Sequence, residues 1–593
     1  MNLKDLLVKF LVWRLKHISN NNFILIMSGI VGLVSGFAAV TLKSAVHLIQ
    51  HLLSDYQENS GLSFLYMIYP VIGIILTVLI SKYIFKSTHI GGHGITKILY
   101  YISKRSSVVK RTLTYTRMVT SAITVGFGGS VGLEAPIVVT GSAIGSNLGR
   151  LTHMNYKKRT LLIACGASGA ISAIFNSPIA GVIFAIEVIL TDVTINKFIP
   201  ILISSVVGSM VSYTLLGREL LFSFKLHEAF KPEHIHYYIL LGIACGIISV
   251  HFTRLTYLVE NSIEKIKNDM NRALLGGVGL AIIILAFPPI YGEGYNVILN
   301  LLNGNDAVIF DESMIYGETD QTLLVIVLLF AILVIKPVAS ALTIGAGGSG
   351  GIFAPSLFMG GIGGYLFART INYILPVQID TSHFTLVGMC GVMSGVLHAP
   401  LTAIFLIAEI TGGYELFVPL MLVSAISFTT INYFEPYSLY TKPLIEKGDL
   451  IQHDKDRQVL SQMKMRKLIE SDLLSIKYDA SLDDLIDLVK ISKRNIFPVL
   501  NYEGGLEGIV TLDDIREKMF DPEKRSQIIV KQVMQLPPAE VDPKDSMEEV
   551  MNKFEVTQAW NLPVIENGKY LGFLSKSRIF NAYRNRLIST DKE

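Results

Sequence analysis

Long apolar runs dominate the chain from residue 23: FILIMSGIVGLVSGFAAVTL at 23–42, VIGIILTVLI at 71–80 and LLVIVLLFAILVI at 323–335. A helix needs about 20 mostly apolar residues to cross the hydrocarbon of a bilayer. The first run has that length, and many others stop short at Gly or Pro. The pattern persists to about residue 435 and predicts a polytopic helical membrane region with broken helices. From about residue 445 the chain is rich in Lys, Asp and Glu. There DASLDDLIDLVKISKR and DPKDSMEEVMNKFEVTQ read as amphipathic helices opened by acidic or Ser caps. NIFPVLNYEGGLEGIVTLDDI (495–515) and WNLPVIENGKYLGFLSKSRIF (560–580) each read as strand, Asn/Gly turn, strand and helix. Pro498 and Pro563 align these two copies at an offset of 65.

The opening stretch MNLKDLLVKFLVWRLKHISNNN is amphipathic and basic, which predicts an interfacial helix over residues 1–21. It lacks a small-residue cleavage site, so a removable signal peptide is not expected. Lys4, Lys9, Arg14 and Lys16 favour a cytoplasmic N-terminus.

Composition agrees with the pattern. Of 593 residues 51% are hydrophobic and 17% charged, with a mean hydropathy of +0.48; soluble domains carry roughly 25% charged residues. A net charge of +3 gives no reason to expect a nucleic-acid partner. Cys165, Cys245 and Cys390 lie in apolar stretches and make neither a disulfide framework nor a metal spacing. No nucleophile–base arrangement, HExxH or Walker loop suggests an enzyme, and no metal site is expected.

The membrane region repeats itself. Residues 126–136 read GFGGSVGLEAP and residues 345–355 read GAGGSGGIFAP, with seven of eleven positions identical at an offset of 219. A second block aligns Gly169, Ser172, Pro178 and Glu187 with Gly391, Ser394, Pro400 and Glu409 at an offset of 222. Repeated halves with Gly/Pro-broken segments mark transporters whose helix ends meet near the midplane. A Gly-Gly-Ser-x-Gly turn opening a helix bares backbone N–H groups at a positive dipole end, which is an anion site. Either turn alone would equally serve close helix packing; the matched pair points to one anion held between the halves.

These residues resemble the CLC chloride channels and exchangers. GGSVGLEAP resembles the GxGREGP-type motif and GGIFAP the GxFxP motif. GGHGIT (91–96) stands in the place of GSGIP, YSLYT (437–441) resembles the segment with the central tyrosine, and GEGY (292–295) and the stretch led by Lys336 also fit. The likeness spans about residues 22–447, followed by a linker at 448–458 and regions resembling CBS domains at 459–520 and 530–588. It implies an all-α membrane domain of repeated halves followed by an α/β tandem CBS pair. It also implies a homodimer with one pore per subunit in the plasma (inner) membrane, with the N-terminus and CBS domains cytoplasmic.

The resemblance assigns roles residue by residue. Glu134 would be the gate, a tethered carboxylate that competes with the free anion. His93, Gly94, Ile352, Phe353 and Tyr440 would hold the anion, Ile352 and Phe353 through backbone N–H groups and Tyr440 through its hydroxyl. His93 replaces the usual serine: either its ring donates and adds sensitivity near pH about 6.5, or the ring turns away and only the backbone counts. Thr96 replaces the motif proline, and Leu133 and Ala135 replace the residues flanking the gate. Exchangers often carry a proton-transfer glutamate where this chain has Val188, after Glu187. Valine carries no proton, which favours a chloride channel over the alternative, a proton-coupled chloride antiporter. In the CBS pair, Thr511 and Asp514 in one copy and Ser575 in the other are candidate contacts for ATP, ADP or AMP. Arg578 stands where the second copy would need Asp. No cofactor is required for transport. A membrane-anchored nucleotide sensor is a different class of reading, disfavoured by the paired anion turns. A cation transporter would need acidic membrane clusters that the chain lacks.

Overall fold

The computed structural model describes residues 12–60, 65–86, 92–190, 195–217, 230–305, 321–449, 465–521 and 527–592, with the single positions 9, 463 and 525. Residues 1–8, Gly91 and most of the expected linker lie outside the described residues. Two compact units divide near residue 450. In the first, residues 12–17 are helical, as the amphipathic start predicts. Arg14 there lies over the Phe23 ring and donates to Asn20 Oδ1 at 2.8 Å.

Between Asn20 and Phe434 the described residues form two successive sets of eight helices. The first set is α1 (Asn20–Ser60), α2 (Leu65–Leu79), α3 (Gly94–Lys104), α4 (Leu113–Gly126), α5 (Glu134–Leu151), α6 (Tyr156–Phe175), α7 (Pro178–Phe184) and α8 (Ile195–Leu216). The second is α9 (Ile235–Glu264), α10 (Asp269–Ala286), α11 (Tyr295–Leu302), α12 (Gln321–Gly345), α13 (Phe353–Ile374), α14 (Thr381–Leu397), α15 (Pro400–Ile410) and α16 (Phe417–Phe434). A short helix, α17 (Lys442–Glu446), follows. Among the described residues eight helices are long and apolar enough to cross a membrane, and α7, α14 and α15 are shorter apolar pieces. The unit is therefore a multi-pass membrane protein with broken helices.

Matching residues make matching contacts in the two halves. Asn176 ends α6 and His398 ends α14, both left-handed. Ser172 donates to Ser205 O at 2.7 Å, and Ser394 to Ser424 O at 3.0 Å. A Cβ on Gly145 would lie 1.9 Å from Leu162 O, and one on Gly364 2.0 Å from Phe384 O. The glycines inside α5 and α13 thus let α6 and α14 touch backbone to backbone. The close-packing role is thus present inside these helices.

The second unit is an α/β pair. β1 (Ile476–Lys477) runs parallel to β2 (Ile496–Leu500), which pairs antiparallel with β3 (Leu506–Thr511). α18 (Leu482–Ile491) opens on a Ser481/Asp484 capping box, and α19 (Leu512–Ile515) follows β3. The second copy has α20 (Met547–Thr557) with a Ser546/Glu549 box, β4 (Asn561–Glu566) antiparallel to β5 (Lys569–Ser575), and α21 (Lys576–Lys592). The copies exchange their leading segments. Glu470 pairs with Phe573 of the second copy, and Gln535 pairs with Ile509 of the first.

Candidate functional site

Both glycine turns have one geometry. After α4 the chain reverses through Gly128, φ +84°, and Gly129 N–H donates to Thr124 O at 2.9 Å. After α12 it reverses through Gly347, φ +105°, and Gly348 N–H donates to Thr343 O at 2.9 Å. A Cβ on Gly128 would also lie 2.1 Å from the Tyr291 ring, so space as well as φ demands glycine. The turns then bond to each other: Gly132 N–H to Gly351 O at 2.9 Å and Gly351 N–H to Gly132 O at 2.8 Å. Such an antiparallel exchange is symmetric about a local two-fold axis. α5 and α13 start from this junction, at Glu134 and Phe353. Their first N–H groups have no intrahelical acceptor and carry the positive end of each dipole.

A third helix start joins them. A Cβ on Gly94, the first residue of α3, would lie 3.6 Å from Ala135 O, and one on Gly351 2.7 Å from Ala135 Cβ. The backbone at Ala135 therefore touches both α3 and the second turn. Tyr440 packs on the same side, with His93 edge-on to its ring at 6.1 Å. Thr96 Oγ1 donates to Tyr440 O at 2.9 Å. The residue that replaced the motif proline thus fastens the tyrosine loop. The Tyr440 hydroxyl is buried without a hydrogen-bond partner among the described residues. His93 Nε2 lies 3.1 Å from Glu260 Oε2, while Nδ1 is buried without a hydrogen-bond partner among the described residues. Its ring is thus held by a carboxylate of α9, which neither orientation weighed from the sequence included. A hydroxyl and a ring nitrogen without partners, beside helix N-termini, fit an anion.

Glu134 occupies the turn itself. Its Oε1 accepts from the Tyr295 hydroxyl at 2.6 Å, and the buried carboxylate also faces the backbone N–H groups of Glu134 and Ala354 at the two helix starts. A Cβ on Gly132 would lie 2.0 Å from Oε2. The carboxylate thus rests against the Gly132 Cα, where no side chain would fit. A cavity of about 590 Å³ reaches Glu134 and is lined by Lys43, His47, Tyr66, Glu293 and Tyr295.

The two repeated glutamates cap each other's halves. Glu187 accepts from Leu401 N–H at 3.1 Å, Thr402 N–H at 2.8 Å and the Thr402 hydroxyl at 2.7 Å. Glu409 accepts from Ile179 N–H at 3.0 Å, Ala180 N–H at 2.8 Å and the Ser177 hydroxyl. Each carboxylate meets the N-terminus of the short, Pro-started helix of the other half, where a negative charge is favourable. Val188, next in the chain, is half-buried against the apolar core.

In the second unit the candidate nucleotide contacts serve the fold. Asp514 Oδ2 accepts from the Thr511 N–H and hydroxyl, each at 2.7 Å, and Oδ1 accepts from Gln535 Nε2 at 2.5 Å. Ser575 donates to Glu470 Oε1 at 2.5 Å. Glu470 and Gln535 are equivalent positions at the offset of 65, so each leading segment docks on the other copy's cap. Arg494 Nη2 also reaches Glu470 Oε2 at 2.6 Å.

Residues 72–432, more than half of the chain, match the family described as "Voltage gated chloride channel", and residues 465–521 and 530–585 match CBS domains. The chain belongs to the voltage gated chloride channel family. Among similar proteins, Chloride channel protein CLC-f of Arabidopsis thaliana is 24% identical over 563 residues, covering 83% of this chain and 69% of that protein. The H(+)/Cl(-) exchange transporter ClcA of Vibrio cholerae is 27% identical over 416 residues, covering 68% of this chain and 84% of that protein. Two solved folds are also similar. A slow cyanobacterial Cl-/H+ antiporter has a TM-score of 0.62 and 22% identity, covering 72% of this chain and 97% of that one. A eukaryotic CLC transporter has a TM-score of 0.60 and 19% identity, covering 94% and 97%.

The contacts of three residues of this voltage gated chloride channel relative are not legible in the sequence. Tyr295 stood in view in GEGY, but its hydrogen bond to a residue 161 positions earlier could not be read. Glu260 sits in an amphipathic-looking helix end, where a carboxylate reads as solvent-exposed. Lys336 is fully buried, and its Nζ donates to Ser130 Oγ at 2.9 Å and Ile290 O at 3.2 Å. A lone lysine within the apolar α12 was the signal for it.

Proposed function

We propose that this protein moves chloride or a similar anion across the membrane in exchange for protons, with Glu134 as both gate and proton carrier. The observation that carries the reading is the Glu134 carboxylate seated in the paired glycine turns. It is a tethered anion that faces the first N–H groups of both helices, Glu134 and Ala354. Protonation removes its charge and its claim on the site, and the free anion takes its place. One group then alternates between two cargoes, which is the minimum an exchanger needs. The described relatives named as Cl-/H+ antiporters support proton coupling.

In this reading the central anion contacts Gly94, Ile352 and Phe353 through backbone N–H groups, and His93 and Tyr440 through their side chains. The protein works as a homodimer in the plasma membrane, with the N-terminus and CBS pair cytoplasmic. The CBS pair takes an adenine nucleotide at Thr511, Asp514 and Ser575. A second reading, the passive channel, is favoured by Val188, which cannot carry a proton.

Chloride efflux from liposomes, with an external pH electrode and valinomycin setting the potential, separates the two. Chloride flow that drives protons uphill supports exchange. Chloride flow without proton movement makes the protein a channel.

A further inference from the structure

We propose that Glu260 and His93 form the proton-handling pair at the Tyr440 end of the anion site, carrying protons between Glu264 and the anion path. The inference rests on the exchange reading above and supplies the proton route that Val188 does not.

Four observations carry it. First, Glu260 and His93 are both buried and in contact through Oε2 and Nε2 at 3.1 Å. Second, each keeps one buried polar atom, Glu260 Oε1 and His93 Nδ1, without a hydrogen-bond partner among the described residues. In an imidazole the two nitrogens lie on opposite sides of the ring, so the pair has a free valence at each end. Third, Glu264 is one helical turn from Glu260 on the same face of α9 and is exposed. A ladder of two carboxylates thus runs from water to the buried histidine. Fourth, the residue after His93 packs against Ala135 O, one residue from Glu134.

The placement of Glu260 is costly unless it has a use. Two carboxylates in the last two turns of the 30-residue α9 face the negative end of its dipole and repel each other. Substituting an apolar residue at 260 would remove both penalties. The charged and titratable groups facing His93 are Glu260 and Glu264 from α9, Arg117 from α4 and Tyr440, with Lys97 on its own helix facing Arg117 and Glu264.

The step balances. The Glu260 carboxyl gives its proton to His93 Nε2, breaking an O–H and forming an N–H bond. His93 releases the proton on Nδ1 to the Glu134 carboxylate when that side chain leaves its turn. The imidazole ends neutral, as the other tautomer, and Glu260 is reprotonated from water by way of Glu264.

The test uses the full-length protein in liposomes, measuring chloride and proton fluxes together. Glu260→Gln, outside the anion contacts, is expected to lower chloride-driven proton flux by roughly a hundred-fold, the lower end of what a placed acid–base group contributes, while chloride flux persists; His93→Gln is expected to lower the number of protons moved per chloride. Glu260→Asp, which keeps a titratable group, restores proton flux. Glu264→Gln, at an exposed position and benign to folding, slows proton flux most at high pH, where protons must be collected from dilute solution. A merely structural pair would lower both fluxes together. Unchanged coupling in Glu260→Gln and His93→Gln overturns this inference while leaving exchange intact. A wild-type protein that drives no protons uphill overturns both.

Discussion

Gly132→Ala tests the seat of the gate without touching the gate. Gly132 is not in the left-handed region, so alanine suits its backbone and the effect is purely steric. The new Cβ would lie 2.0 Å from Glu134 Oε2, against an ordinary non-bonded separation of about 3.5 Å. The carboxylate must retreat by roughly 1.5 Å, which breaks its 2.6 Å hydrogen bond from Tyr295. A hydrogen bond to a charged group contributes about 1.5–3 kcal/mol, so the seated population falls by about 10- to 150-fold. Anion efflux from liposomes at neutral pH should rise towards its acid level, and its dependence on external pH should flatten, as Glu134→Gln is also expected to do.

A second conflict has to be separated from the first. The same Cβ would lie 2.7 Å from Ala354 Cβ, which strains the junction of the turns whatever residue 134 is. A double-mutant cycle with Glu134→Ala isolates the part that acts through the carboxylate. In the Glu134→Ala background Gly132→Ala should leave flux unchanged and lower thermal stability less than it does alone. A correctly assembled Gly132→Ala protein that keeps the wild-type pH profile would refute the claim that the carboxylate sits in the anion site.

Four further outcomes are expected. Tyr440→Phe removes a hydroxyl that bonds to no described residue and keeps the Thr96 latch, which uses the backbone; stability in detergent should change by less than about 0.5 kcal/mol while chloride/nitrate discrimination falls. Glu409→Gln and Glu187→Gln should destabilise the protein by similar amounts, about 1–3 kcal/mol each, and clearly unequal melting shifts would break the reciprocal-cap account. ATP should raise the melting temperature of the full chain, and Gln535→Ala, which frees Asp514 Oδ1, should enlarge that shift; no shift in either protein leaves the CBS pair a purely structural module. Acid should weaken the second unit: the Arg494 hydrogen bond holds Asp472 below the usual 3.8, and at Asp545 burial pushes upward but Lys553 and the Asp542 N–H prevail. A depressed carboxyl stabilises the fold above its unfolded value and loses that contribution as pH falls, so melting should drop below pH about 4, less so in Arg494→Ala.

The repeated fold was legible because it is written locally. Apolar runs, Pro178 and Pro400 at helix starts, and glycines at fixed offsets are properties of short segments. The boundaries of α5 and α13 fall where the two GGSxG turns end. Contacts between distant segments were not legible. Nothing in the local sequence of Glu187 says that it caps α15, 213 residues on, although its match to Glu409 suggested a shared polar role. Tyr295 and Glu260 reach the site across 161 and 167 residues, and each would read equally well as a surface group. In the CBS pair the Thr-x-x-Asp pattern was read as a nucleotide contact, and the structure uses it as a capping box. The short motif supports both uses, and only the neighbour at Gln535 distinguishes them.

The asymmetry of the two turns follows from what each half gives the other. The backbone is two-fold at the junction, so Glu134 and Phe353 begin equivalent helices. The third helices of the two sets, α3 and α11, hold the same place in the order as well, but they begin differently. α11 begins with Tyr295, whose hydroxyl closes on Glu134. α3 begins with Gly94, which offers no side chain. Phe353 packs on Phe175 and Phe184, with ring centroids at 5.3 and 6.4 Å, and turns its bulk into the core. One side of the junction is thus filled by a carboxylate and its hydroxyl partner. The other begins with an apolar side chain, and the Tyr440 hydroxyl is buried without a hydrogen-bond partner among the described residues. A glutamate in both turns would seat two tethered anions against one axis and leave no vacancy for a free one. A phenylalanine in both would hold an anion with nothing to displace it. A site that alternates between a tethered and a free anion needs the backbone symmetry to build it and a single carboxylate to break that symmetry.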